Sequence, residues 1–324
     1  MLYPLKFEPI LKEIIWGGDE ICRFKNIHPQ RSGIGESWEL SHVKNNVSIV
    51  ANGDLKGKSL EELIETYKDK LVGGKVLERF GTTFPLLIKF IDAHAPLSIQ
   101  VHPNDALAKK RHNSFGKTEM WYVVRATRDA FLYSGFAKPL TPEGYVRSLE
   151  DDTFIHYLQR HEVKPGDVFF LPAGRVHAIG AGCFIAEIQQ TSDITYRIYD
   201  YNRKDANGNP RELHTELAKD AIDYKIYPDY KLDYTPGQQL VQPLISCPYF
   251  TTDLIEGKEG DTVQTSRTGS FSVYIGLEGA VQLTDSNGYS IEIRQGETVL
   301  LPAENHLTTL RFIEKGKLLE TYIQ

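Results

Sequence analysis

The sequence has no long hydrophobic run. No apolar stretch approaches the roughly 20 residues that span a bilayer, so a membrane-spanning helix and a membrane partner are excluded. Cysteine is scarce. Cys22, Cys183 and Cys247 are odd in number and widely spaced, with no CxxC pair, which excludes a disulfide framework and a thiolate metal site. The three are read as small buried hydrophobes in a reducing cytoplasm, the expected compartment. The opening residues, MLYPLKFEPILKEIIWGG, show neither the basic start nor the apolar stretch of a signal peptide. No long Lys/Arg run or basic-aromatic strip occurs and the net charge is −6, so no nucleic-acid partner is expected. Neither GxxxxGK[ST] nor GxGxxG is present, so any phosphate must be held by side chains.

What remains is an ordinary globular composition, 41% apolar and 25% charged over 324 residues, enough for two domains or one large all-β unit with insertions. Strand signals dominate. Short segments rich in β-branched and aromatic residues recur between turns at 84–91, 97–101, 120–125, 130–134, 167–171 and 183–190, and again at 270–277, 280–284, 289–293 and 298–301. Many short strands with polar turns predict a mainly β sandwich or barrel. Helical patterns interrupt them at about 59–71, where Ser59 and Glu62 form a capping-box pattern, at 141–160 behind Pro142, and at 213–224. The stretch 205–210, DANGNP, reads as a loop and 228–239 as a linker. VKPGDVFFLPAGRVH, ending at His177, is echoed by IRQGETVLLPAENH, ending at His306. Both read as a tight turn, a buried strand and a Pro-fixed turn, which predicts two related β units. The second copy has Glu304 at the position of Gly174 and its histidine one place early, so it is read as a structural copy without metal.

Two clusters can do chemistry. In PLSIQVHPNDALAKKRHNSFGKTEMWYV, residues two apart on a strand face one side, so Ser98, Gln100 and His102 share a face. Glu119 opens the next strong strand, and an antiparallel neighbour would bring its carboxylate beside them; Lys117 lies on the same face as Glu119. In GDVFFLPAGRVHAIG, Pro172 and Gly174 aim His177 back toward the sheet. Two imidazoles, a carboxylate and an amide describe an open catalytic metal site, for which zinc is favoured and iron or manganese is acceptable. His42, His94, His112, His156, His161, His214 and His306 are read as hydrogen-bonded core or surface residues. Glu187, Asp193 and Arg197 lie downstream of His177; Arg197 offers a bidentate phosphate contact. Lys89 sits inside the apolar run FPLLIKFI, where an unpaired lysine is expensive. The WGG at Trp16 and the GESWELS around Glu36 and Trp38 offer pocket walls, although by composition alone core and turn roles explain them better.

With these residues in view, the chain resembles type I mannose-6-phosphate isomerase in its short bacterial form. The matches are IIWGG, GESWELS, FPLLIKFIDAHAPLSIQVHPND, GKTEMWYV, KPGDVFFLPAGRVHAIG and QQTSDITYRIYDYNRKD with RELH, covering about residues 5–220. The resemblance implies two cupin-type β-barrels or jelly rolls: a catalytic domain over 1–227 with the three helical insertions, the linker 228–239, and a degenerate cupin-like domain over 240–324. It also implies a zinc enzyme, one ion per chain, interconverting mannose 6-phosphate and fructose 6-phosphate through a cis-enediol. The metal ligands carry over onto Gln100, His102, Glu119 and His177. Catalytic roles carry over onto Arg197, Lys117, Glu187 and Asp193, and substrate binding onto Ser98 and Lys89 beside the phosphate, with Trp16 and Glu36 in the pocket. Longer members carry His where this chain has Gly116, and the large helical insertion of those members is missing. A monomer or weak homodimer acting on a hexose 6-phosphate is expected. The rival classes are a non-catalytic sugar-phosphate-binding cupin and an iron cupin oxygenase, the latter disfavoured by Gln100 where such sites use His.

Overall fold

The central strand of the first half, Leu86–Ala93, is buried on both faces, as its apolar run LLIKFIDA requires. It organises a six-stranded sheet in the order Val168–Leu171, Glu119–Ala126, Cys183–Gln190, Leu86–Ala93, Ile34–Leu40, Ile10–Gly18. A five-stranded sheet faces it, ordered Leu158–Glu162, Phe131–Phe136, His177–Ile179, Ile99–Val101, Tyr196–Tyr199. In the computed structural model, which describes residues 1–204 and 208–324, all named strand pairings are antiparallel. The expected loop 205–210 lies partly outside the described residues. Trp121, Val123 and Ile185 of the first sheet meet Leu132 and Ile179 of the second in one core.

The second half repeats this plan. A six-stranded sheet runs Leu5–Lys6, Thr298–Leu301, Ser272–Glu278, Gly316–Tyr322, Thr251–Gly257, Val241–Ser246, and faces a four-stranded sheet of Thr262–Ser266, Leu307–Phe312, Ala280–Asp285 and Ser290–Arg294. The two six-stranded sheets pack back to back: Phe90, Met120 and Ile188 share a core with Leu254, Val273 and Leu319. Among the described residues no sheet closes on itself and no ladder joins the two sheets of either unit. Each unit is therefore an open pair of facing sheets, the sandwich of the two forms that strand spacing predicts, without the closure of a barrel.

The helices are shorter than their patterns. Leu60–Tyr67 begins with the expected Ser59 capping box but ends at Lys68, whose φ of 47° breaks the turn before Asp69–Val72. The expected helix 141–160 stops at Glu150; Asp152 has φ 56°, Phe154–Tyr157 forms a 3-10 turn, and Leu158–Glu162 is a strand paired with Phe131–Phe136. Phe154 and Leu158 reach the core through that turn and strand rather than from a helix face. The third helix covers Thr215–Ala221 only. Three further helices, Glu20–Phe24, Gly74–Phe80 and Asp105–His112, lack a sequence pattern strong enough to announce them.

The expected linker is packed. The Leu232 amide donates to Val168 O at 2.9 Å, the Tyr234 hydroxyl to Gly166 O at 2.6 Å, and the buried Tyr230 hydroxyl to Phe136 O at 2.9 Å. The short helices around Gly73 form the seam between the halves: Ala303 and Glu304 amides donate to Leu71 and Lys70 carbonyls. A Cβ on Gly73 would sit 2.0 Å from Gly269 O, at a φ of 95°, so glycine is required there on both counts.

Candidate metal centre

Gln100 is the middle of three side-by-side positions in the five-stranded sheet. It pairs with His177 on one neighbouring strand and with Arg197 on the other. His102 follows two residues on, so Gln100 and His102 keep one strand face. The turn that delivers His177 depends on Gly174, which has φ 90° and donates its amide to His102 O at 2.9 Å. Glu119 does not come from an antiparallel neighbour of that strand. It opens a strand of the facing sheet, between Leu171 and Gln189, and reaches across.

His102, Glu119 and His177 are fully buried and their ligand atoms lie within 4.8 Å of one another. Each histidine is oriented by its other nitrogen: His102 Nδ1 is 2.9 Å from Ile194 O and His177 Nδ1 is 2.9 Å from Arg175 O. A carbonyl only accepts, so both Nδ1 atoms carry hydrogen and both Nε2 atoms present lone pairs inward. His102 Nε2 is 3.5 Å from Glu119 Oε2, and His177 Nε2 is 3.3 Å from Glu119 Oε1. Four buried acceptor atoms, the two Nε2 and both Glu119 oxygens, thus converge without a hydrogen-bond partner. Lys117 Nζ, 3.2 Å from Glu119 Oε2, provides an ion pair there but no aligned hydrogen bond. Such a cluster is costly unless a cation joins it. Two ligands at zinc distances with a tetrahedral angle stand about 3.4 Å apart, which fits the observed separations.

The electrostatics agree. Burial pushes the His177 imidazole down to about 3, and His102 well below its ordinary 6.5, with Lys117 adding to the effect on both. Both rings stay neutral, the form that ligates. Burial lifts the Glu119 carboxyl to about 7, opposed by Lys117 and reinforced by Glu187, and a bound cation would favour its ionised form.

A cavity of about 350 Å³ adjoins this group, and its wall includes Trp16, Glu36, Lys89, Ser98, Gln100, Lys117, Glu187, Asp193 and Arg197. All nine therefore come together in space. Lys89 is not a free point charge: its Nζ is 3.3 Å from Glu187 Oε1 and 3.8 Å from Glu36 Oε2, and it lies over the Trp38 ring. Those carboxylates outweigh burial and raise the Lys89 ammonium above its usual range. Glu187 also accepts from Trp121 Nε1 at 2.8 Å. Burial would raise its carboxyl, but Lys89 and Lys117 prevail and hold it below the carboxylate range. Arg197 donates from Nη1 to Glu212 O at 2.8 Å, while its buried Nε has no partner. Burial and the neighbouring Arg211 both lower its guanidinium. Arg211 and Thr195 line the same cavity and were not singled out in the sequence. Arg211 is brought there by its ion pair to Asp200, with Nε donating to Oδ2 at 2.7 Å, a pairing that no local pattern announces.

Among the described residues one group of this kind forms, and the second unit explains why. Leu301 pairs with Ser272 and Ser272 with Tyr322, as Leu171 pairs with Glu119 and Glu119 with Gln189. Ser272 therefore stands in the place of Glu119, and Glu320 in that of Glu187. The facing inward positions Thr308 and Thr265 correspond to His177 and Gln100, and Arg267 to His102. Glu320 accepts from Ser272 and Tyr274 hydroxyls, each at 3.0 Å, and from Arg267 Nη2 at 2.9 Å. A guanidinium and hydroxyls fill the space with internal hydrogen bonds. His306 lies outside this set.

Residues 5–121 match the family model of the phosphomannose isomerase type I catalytic domain. The chain is 37% identical over 302 residues to the mannose-6-phosphate isomerase ManA of Bacillus subtilis (strain 168), covering 92% of this chain and 93% of that one. It is 33% identical to a mannose-6-phosphate isomerase of Streptococcus mutans, covering 93% of each. Among solved structures, the crystal structure of the mannose 6-phosphate isomerase from Bacillus subtilis superposes with a TM-score of 0.88 at 30% identity, over 99% of this chain and 100% of the other.

Proposed function

We propose, since this chain belongs to the type I phosphomannose isomerase family, that it interconverts mannose 6-phosphate and fructose 6-phosphate at the cavity above His102, Glu119 and His177, using one zinc ion. The observation that carries the reading is the convergence of four buried acceptors without a hydrogen-bond partner beside a cavity bearing arginine and lysine side chains. Gln100, His102, Glu119 and His177 would hold the ion; two imidazoles, a carboxylate and an amide oxygen suit zinc. When bound, zinc supplies Lewis-acid stabilisation of the negative charge that develops on substrate oxygens. The paired sheets are read as two cupin-type units, and the cytoplasm as the compartment.

The chain's own residues do the rest. Arg197, with Arg211 beside it, takes the phosphate. Ser98 supports it with a hydroxyl donor. Lys89 is committed to Glu187 and Glu36 and serves as a fixed positive charge in the wall rather than as the phosphate's main partner. Asp193 assists ring opening. Glu187, ionised, moves the proton between C2 and C1 through a cis-enediol, and the Lys117 ammonium donates to the oxygen on which charge grows. Trp16 and Trp38 wall the cavity and limit water during the transfer.

The deciding experiment is a coupled assay on metal-stripped and zinc-restored protein. Activity on mannose 6-phosphate should vanish on stripping and return with one equivalent of zinc. Full activity after verified metal removal would refute the metal role, and inactivity on every hexose phosphate would refute the function. Arg197→Ala should leave zinc content intact and lower kcat/KM roughly thirtyfold to a hundredfold, the loss of a charge-assisted phosphate contact. Unchanged kcat/KM on the phosphorylated sugar would remove Arg197 from the phosphate site.

A further inference from the structure

We propose that Tyr249, contributed by the C-terminal β unit, is a positioning residue that fixes the segment 116–118 and so places Lys117 for the isomerisation; the catalytic part of this inference rests on the function proposed above. Tyr249 lies in the turn between the strands Val241–Ser246 and Thr251–Gly257, in the opposite half of the molecule from the metal group. Its hydroxyl donates to Asp105 Oδ2 at 2.9 Å. Asp105 opens the helix Asp105–His112, and its other oxygen accepts from the Gly116 amide at 2.8 Å and from Gln190 Nε2 at 3.0 Å. Gln190 in turn accepts the Thr118 amide on Oε1 at 2.8 Å, and the Lys117 amide donates to Pro103 O at 3.1 Å.

Three consecutive amides are thereby held, two of them through the carboxylate that Tyr249 fixes. The middle one belongs to Lys117, whose ammonium lines the cavity and sits 3.2 Å from Glu119. Thr118 extends the network to the other ligand-bearing turn, since its hydroxyl accepts the Ala173 amide at 3.2 Å. The fit is close. A Cβ on Gly116 would stand 2.6 Å from the Asp105 amide nitrogen and 3.0 Å from its Oδ1, so the segment can approach the helix start only as glycine. The backbone around Lys117 is otherwise irregular, lying between the helix and the strand that Glu119 opens, and its further backbone tie is Thr118 O, which accepts the Gln190 amide at 3.1 Å. The C-terminal unit, whose own equivalent of the metal group is closed by Arg267 and Glu320, thus reaches the site through a polar contact as well as through the shared core.

Tyr249→Phe keeps the ring and its packing and removes only that donor. In zinc-loaded full-length protein we expect kcat on mannose 6-phosphate to fall fivefold to twentyfold, with KM within twofold and zinc content unchanged. Asp105→Ala should do the same or more. Asp105→Asn, which keeps an acceptor for Gly116 and can donate its amide to the tyrosine oxygen, should retain most of kcat. Amide hydrogen exchange reads the network without turnover: exchange at Gly116 and Thr118 should accelerate at least tenfold in Tyr249→Phe, while strand Leu86–Ala93 is unaffected. Unchanged exchange at those amides overturns the proposal, as does faster exchange with an unaltered kcat in an active enzyme. A wild-type protein that turns over no hexose phosphate refutes the functional reading instead, and the exchange result still decides whether Tyr249 holds the segment.

Discussion

Replacing His177 by alanine is expected to abolish zinc binding and turnover together, with kcat lower by roughly three orders of magnitude or more. The argument begins with the carbonyl of Arg175. It accepts from His177 Nδ1, so Nε2 points inward with a lone pair and little prospect of protonation, given how far burial has lowered the imidazole. Removing the ring leaves His102 and Glu119 as the buried donors, and Glu119, already raised to about 7, then carries a proton more readily than a metal. Thermal denaturation separates this from simple unfolding. Zinc that binds only the folded state stabilises it by about 2.7 kcal/mol at a hundredfold excess over Kd. Wild-type protein should therefore melt higher with zinc than after stripping, and the variant should show one melting temperature in both conditions. A variant that still gains stability from zinc, or that binds a full equivalent, contradicts the assignment of His177 as a ligand.

Much of this site was legible in the sequence because strand geometry is periodic. Gln100 and His102 share a face by alternation, and the Pro172–Gly174 turn does return His177 beside Gln100. Glu119 reached the same cluster by a route that alternation cannot show: it belongs to the facing sheet, and which sheet a strand joins is settled by packing of Trp121, Val123 and Ile185 against Leu132 and Ile179. Arg211, although part of the RELH match, gains no site role from the sequence because its position follows from a pairing with Asp200, 11 residues earlier. The overlong helix at 141–160 shows the opposite failure. Tyr145, Phe154 and Leu158 all enter one core, so their spacing looked helical, yet Asp152 turns the chain through a left-handed conformation and the last of them arrives on a strand. Apolar spacing reports burial; it does not report the path between buried residues. The repeat ending at His306 marks the same turn in the second unit, where Thr308 pairs with Thr265 as His177 pairs with Gln100.

The second large effect is expected at Glu187. Glu187→Gln should lower kcat by about 10²- to 10⁴-fold, the usual worth of a positioned proton carrier, while KM and zinc content stay near wild type. Besides Asp193, assigned to ring opening, and Glu36, tested below, three residues on the cavity wall could carry the C2 proton: Lys89, Lys117 and Glu187. Lys89 is held charged between Glu187 and Glu36 and has no lone pair to offer. Lys117 is paired with Glu119. Glu187 is the group kept in its basic form, and because its carboxyl is held below the ordinary range it stays ionised through neutrality. The sign follows: activity that depends on this carboxylate is complete at neutral pH and is lost only as pH falls through a value under the usual carboxylate range. Glutamine preserves the hydrogen bond from Trp121 through its carbonyl oxygen, so loss of shape is not the cause of the defect. Loss of charge beside Lys89 is the competing explanation, and Glu36→Gln tests it by removing the other carboxylate near the same ammonium. That variant should lose far less kcat. Transfer itself can be followed in deuterated water, where the wild-type enzyme should incorporate solvent deuterium at C2 or C1 and Glu187→Gln should do so at a rate reduced in proportion to kcat. A Glu187→Gln enzyme within threefold of wild type would remove the proton-transfer role from Glu187 and move it to another group on the cavity wall, with Lys117 the next to be tested.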